Sequence, residues 1–169
     1  LRGKGNGDTH FTRRFTTGEG GVPIVLHDGF EVDRDDRQKG IGSAMLEKSE
    51  ALYKKMGVKS IHLIANSSVG IYAWARMGFD FGMPGARRLL VNNFYRYLDA
   101  HEIPKSEWPM SAEHAWEIAA WKSTSKTMYS GKDYLLGDAY SWNAVKYLDD
   151  DDEGYKIGQI YYALKRGQK

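Results

Sequence analysis

Cysteine is absent from the 169 residues. That excludes disulfides, cysteine nucleophiles and thiolate metal sites, but does not fix a compartment. No apolar run approaches the roughly 20 residues that span a bilayer, and no signal peptide is visible, so a cytoplasmic site of action is the default expectation. Surplus charge is missing too. The 24 Lys and Arg against 22 Asp and Glu leave +2, too little for a nucleic-acid coat. His10, His101 and His114 show no metal-ligand spacing with acidic neighbours, so no metal is expected. Internal repeats and long linkers are lacking as well. A single domain over 1–169 is therefore expected, although Leu1 points to a chain that begins inside a longer product.

Hydrophobic residues at 41% and charged residues at 27% fit a globular chain with a core. The 11 tyrosines and 5 tryptophans suggest aromatics lining a groove as well as the core. Thr9 to Thr17 is β-branched and aromatic and predicts a strand. Gly18 to Gly21 predicts a hairpin turn, and Val22 to Val32 one long strand or two broken near Asp28-Gly29, where a bulge is expected. Ile41 to Met56 predicts a helix with Ile41, Met45, Leu52 and Met56 near one face and Gly57 as its stop. Val58 to Ala65 reads as a buried strand. A short helix from Ser67 or Ser68 to Met77 should end at Gly78, before a strand over Phe79 to Phe81. Further on, Arg87 to His101 and Ser111 to Trp121 read as helices, and Tyr155 to Leu164 as a final strand.

The chemistry concentrates in Arg37-Gln38-Lys39-Gly40-Ile41-Gly42-Ser43, a glycine-rich turn between a strand and a helix. Backbone N–H groups at a helix start lack intrahelical partners, and the helix dipole makes that end positive. Glycine lets a phosphate come close. The backbone from Gln38 to Ser43, with the Arg37 and Lys39 side chains, is thus a candidate pyrophosphate site. It lacks the Gly-Lys-Ser/Thr of a P-loop and the third glycine of a dinucleotide fingerprint.

The run from Val32 to Leu46, with its R-x-x-G-x-G, resembles the signature of the GNAT superfamily of N-acetyltransferases. The likeness continues through Lys-Lys-Met-Gly-Val, the strand Ser-Ile-His-Leu-Ile-Ala-Asn and the close Met77-Gly78-Phe79. It covers roughly residues 9 to 82, the core motif region, and leaves 83–169 as a C-terminal elaboration. The resemblance implies an α/β fold: a GNAT-like mixed sheet flanked by helices, with a reduced N-terminal part and elaborated C-terminal helices. It implies transfer of an acetyl group from acetyl-CoA to a primary amine by direct attack. Backbone groups near Phe30 to Val32 would align the pantetheine arm and polarise the thioester carbonyl, and Asn66 would touch the arm, unless it only caps a helix.

A general base is expected near that strand, with Glu31 and His27 as candidates, on one face if the strand is regular, or a water chain in their place. Many family members carry a tyrosine four residues before the closing glycine; here that position is Trp74. Tyr72, two residues away, is the remaining candidate acid for the thiolate. Trp74 reads as a wall of the cofactor slot or as core, and His62 as a structural histidine in an apolar strand. Arg13-Arg14 and Arg87-Arg88 could contact phosphates. The sequence leaves two other readings open: a non-catalytic acyl-CoA-binding or interaction domain, and an acetyltransferase toxin or effector domain whose acceptor is a protein or an aminoacyl-tRNA.

Overall fold

β1 (His10–Thr17) and β2 (Pro23–Glu31) form an antiparallel hairpin in the segments that β propensity marks out. The computed structural model describes residues 9–32, 39–66 and 68–167. Thr12 pairs with Gly29 and Arg13 with His27, so Asp28 is an extra residue on β2. This is the expected bulge, within one continuous strand. A bulge changes side-chain parity. His27 and Glu31 were expected to share a face, and they do not. Phe11 touches both the His27 ring and the Phe30 ring, at centroid distances of 4.5 and 4.8 Å. Phe30 is therefore on the His27 side, and Glu31 lies opposite it with His10, its pairing partner.

From β2 the chain crosses through α1 (Ile41–Lys55) to β3 (Ser60–Ala65), then through α2 (Ser68–Arg76) to β4 (Asp80–Phe81). α3 (Pro84–Ala100), α4 (Ala115–Ala120) and α5 (Gly131–Gly137) follow, then β5 (Trp142–Tyr147) and α6 (Glu153–Gly167). The fold is α/β, with a five-stranded mixed sheet in the order β1-β2-β3-β5-β4. β2 and β3 are parallel, as a crossover through a helix requires. β5 inserts antiparallel between β3 and β4.

Three sequence expectations need correction. The buried face of α1 is Leu46, Ser49, Glu50 and Tyr53, whereas Leu52 and Met56 are exposed. A polar cluster explains the choice. Lys146 on β5 donates to Glu50 Oε1 at 2.6 Å and to the Met77 carbonyl at 2.8 Å, and the Tyr162 hydroxyl donates to Glu50 Oε1 at 2.7 Å. Both charged side chains are fully buried. The segment Tyr155 to Leu164 is helical, not a strand. Its buried positions Gly154, Gly158 and Tyr162 recur every four residues, the helical spacing, and its β-branched and aromatic content hid that period. The last strand is instead β5, which the sequence concealed by placing Lys146 at an inward position. The predicted helix over Ser111 to Trp121 shortens to α4. There Glu117 accepts from the His114 backbone N–H, and Asp80 Oδ1 accepts from that of Ala115 at 3.1 Å.

The C-terminal helices share the core of the sheet. One apolar cluster joins Val25 and Ile61 to Phe94, Leu98 and Tyr134. Trp116 is buried, Trp108 stacks on Tyr95, and Trp121 meets Phe94 edge-on, so these tryptophans pack within the C-terminal half.

Candidate functional site

The parallel ladder of β2 and β3 holds four pairs, ending at His27–Leu63. Beyond it β2 continues to Glu31, paired with β1, while β3 ends at Ala65. The strands separate, and a cleft of about 1190 Å³ opens at their carboxyl ends. This is where ligands bind in open α/β sheets. The cleft reaches both sides of the sheet, from Trp74 and Gly42 on the α1 side to Leu26 and His62 on the other.

The glycine turn lies at its mouth. Gly40 holds φ at +78°, in the left-handed region that favours glycine, and starts α1. The Ser43 hydroxyl donates back to the Gly40 carbonyl at 2.9 Å. Gly40, Ile41, Gly42 and Ser43 all line the cleft. A Cβ on Gly42 would stand 3.5 Å from both Phe30 and Val32, so the turn and β2 face each other across a narrow gap. Phe30, Val32 and Asn66 also line the cleft, whereas Lys39 is exposed beside it. Arg37 and Gln38 lie outside the described residues.

The three candidate catalytic side chains separate. Glu31 is at the rim, 62% exposed, with its carboxylate 4.0 Å from the His10 ring. Tyr72 is not among the cleft residues; it packs on the core with the Lys132 ammonium 5.8 Å from its ring. An acid's role for Tyr72 therefore finds no geometric support. His27 is buried, with Nε2 3.1 Å from the Tyr53 hydroxyl. Arg13, a permanent donor, gives a hydrogen bond to the same hydroxyl at 2.9 Å. The ring thus shares a hydroxyl that already accepts from Arg13, and its Nδ1 is buried without a hydrogen-bond partner among the described residues. Burial, then the Arg13 charge, push the His27 pKa down to about 3. Such a ring is neutral and can donate; it is too weak an acid-base group to collect a proton near neutrality.

Arg13 is thus committed to Tyr53 and Ser49, and Arg14 to Asp28 at 3.0 Å. Trp74 is both wall and core: it lines the cleft, is 8% exposed, and meets Phe30 and Phe79. His62 also lines the cleft, which its reading as a structural residue missed.

Sequence reasoning passed over Lys165, Asn143 and Met83 as well. Lys165, from the last turn of α6, reaches both the cleft and the surface beside Gly40 and Ser43. Nothing local marks it: the segment before it, Tyr155 to Leu164, reads as a strand, and Lys165 lies just beyond. The C-terminal half therefore supplies part of the cleft. No helix among the described residues is long and apolar enough to cross a membrane, and none of their acidic, histidine or cysteine side chains cluster as a metal site would need. No protein-family model and no curated protein matches the chain.

Proposed function

We propose that this chain is a GNAT-like, acetyl-CoA-dependent N-acetyltransferase that acts on a primary amine. The observation that carries the reading is the separation of β2 from β3 beside a glycine turn that opens α1. Helix-start N–H groups at Ile41 to Ser43, with Lys39 and Lys165 nearby, suit a pyrophosphate. The gap between the strands suits an extended arm. There the edge of β2 that faces β3 carries no further strand among the described residues. A thioester carbonyl held against that edge would meet backbone donors. The resemblance in the motif region adds to this, and so does the size of the cleft, which exceeds the roughly 300–1,000 Å³ of ordinary small-molecule pockets.

Titration calorimetry with acetyl-CoA and with CoA tests the reading. Wild-type protein should bind both. Gly42→Ala keeps ordinary contact distances to Phe30 and Val32 and should remain folded with weakened binding. Gly42→Leu fills the gap and should lose binding while the far-UV spectrum is unchanged. Full affinity in Gly42→Leu, or no affinity in the wild type, would refute the site.

A further inference from the structure

The separation of β2 and β3 gives the cleft two sides. On the α1 side stand the glycine turn, Phe30 and Trp74. On the other side the wall is sheet: Leu26, His62, Ile64 and Asn143. His62 comes one residue before Leu63, which makes the last rung of the ladder. Its side chain therefore lies beside the point where the strands part, on the face that α1 does not cover.

His62 is held in place. Its Nε2 is 2.8 Å from the hydroxyl of Ser60, a buried residue two positions earlier on the same face. With Nε2 engaged by Ser60, Nδ1 is the nitrogen left for a ligand. The groups around the ring can be read from the register. Leu26 on β2 pairs with it, with Asp28 two residues on; Val145 on β5 pairs with it, flanked by Asn143 and Tyr147; Asp80 on β4 lies beyond Val145. Arg14 holds Asp28, and His114 holds Asp80 at 2.6 Å. Glu31 and His10 line the same cleft from its rim, and burial lowers the pKa of the ring below the ordinary 6.5. A neutral imidazole at neutral pH is a proton acceptor. The two base candidates from the sequence are placed differently: His27 is closed in on the α1 side, and Glu31 stands exposed at the rim.

We infer that His62, positioned by Ser60, is the general base of the transfer. This rests on the acetyl-transfer reading. The amine nitrogen attacks the thioester carbonyl carbon, the C–N bond forms and the C–S bond breaks. The electron pair leaves on the CoA sulfur. The proton lost by nitrogen passes to His62 and then to solvent, and the thiolate takes a proton from solvent.

The test is thiol release from acetyl-CoA with poly-L-lysine and, separately, spermidine as acceptor. The absence of cysteine removes any protein background from a thiol reagent. Ionisation of the amine gives log kcat/KM a slope of one against pH. Ionisation of His62 should add a second below a break that lies under pH 6.5. Wild type should therefore pass from slope two to slope one. His62→Gln should show slope one throughout and lose roughly a hundredfold or more in kcat/KM, with an unchanged Tm and an unchanged acetyl-CoA Kd. Ser60→Ala should lose less and keep the break. A His62→Gln variant that retains the rate or the break overturns the inference. So does wild-type protein that binds acetyl-CoA but transfers to neither amine. Wild type that does not bind acetyl-CoA removes the function itself, and the inference with it.

Discussion

Burial sets the chemistry of His27. Its imidazole is neutral in the fold down to about pH 3 but takes a proton near 6.5 once unfolded. Between those values the unfolded chain binds the extra proton, so stability falls as pH drops. The stability is complete above 6.5 and declines by about 1.4 kcal/mol for each pH unit below it. His114 acts in the opposite sense. Burial opposes its proton, but Asp80, Glu117 and Glu153 outweigh that and raise its pKa, so its contribution is present at acid pH and lost as pH rises through the folded value. Urea unfolding from pH 4 to 7 should show stability rising with pH in the wild type. The slope should be much flatter in His27→Gln; an equal slope would mean that the buried ring is not the linked group. Lys165 makes a simpler case. A cation near a bound pyrophosphate is worth about 0.3–1 kcal/mol, so Lys165→Ala should weaken acetyl-CoA binding roughly two- to fivefold. The deficit should shrink in high salt, as calorimetry at two ionic strengths would reveal.

α1, β5 and α6 meet through Glu50, Lys146 and Tyr162, and this contact fixes how α1 is turned on the sheet. Desolvation pushes the Glu50 pKa up and that of Lys146 down, while each partner's charge pulls the other way. All of the Lys146 hydrogen-bonding capacity is engaged, by Glu50, the Met77 carbonyl and Tyr162. Removing one member strands the other charge in the core. Glu50→Leu or Lys146→Met alone should cost about 3–5 kcal/mol in chemical denaturation, and the double variant should recover part of the loss. A double variant that costs the sum of the singles would show that the two groups act independently. The same cluster explains why the apolar stripe of α1 misleads: Leu52 and Met56 lie outside because Glu50 lies inside.

For the whole molecule, the question is whether the C-terminal elaboration is a separate unit. α2 packs on α4, α5 and α6, and the apolar cluster runs through both halves without a break. One cooperative transition is therefore expected. Trp74 and Trp142 report on the sheet, and Trp108, Trp116 and Trp121 on the C-terminal helices. Tryptophan fluorescence and far-UV circular dichroism in urea should give coincident curves; two separated midpoints would divide the chain into two domains. Shared packing also accounts for a site assembled from distant segments, since Lys165 reaches the turn only when α6 is docked beside α1.

The sequence by itself determined the centre of the fold: the hairpin, the bulge at Asp28, the turn at Gly40, α1, β3 and α2. Local forces suffice there. Gly40, Gly57 and Gly78 hold positive φ values at element ends and so bound α1 and α2. Local signals point to Gly40 to Ser43, and the resemblance points to Phe30, Val32 and Asn66; all of them line the cleft. Tertiary structure alone decided the rest. Whether Tyr155 to Leu164 became strand or helix depended on Gly154 and Gly158 packing closely against the Met77–Gly78 turn and Lys146. The parity change that parts Glu31 from His27 appears only once β1 pairs with β2. The neutral state of His27 comes from its burial first and from the Arg13 charge second, and the place of His62 at the cleft needs β2 and β3 to separate. Each of these depends on contacts between residues far apart in the chain, which local periodicity does not encode.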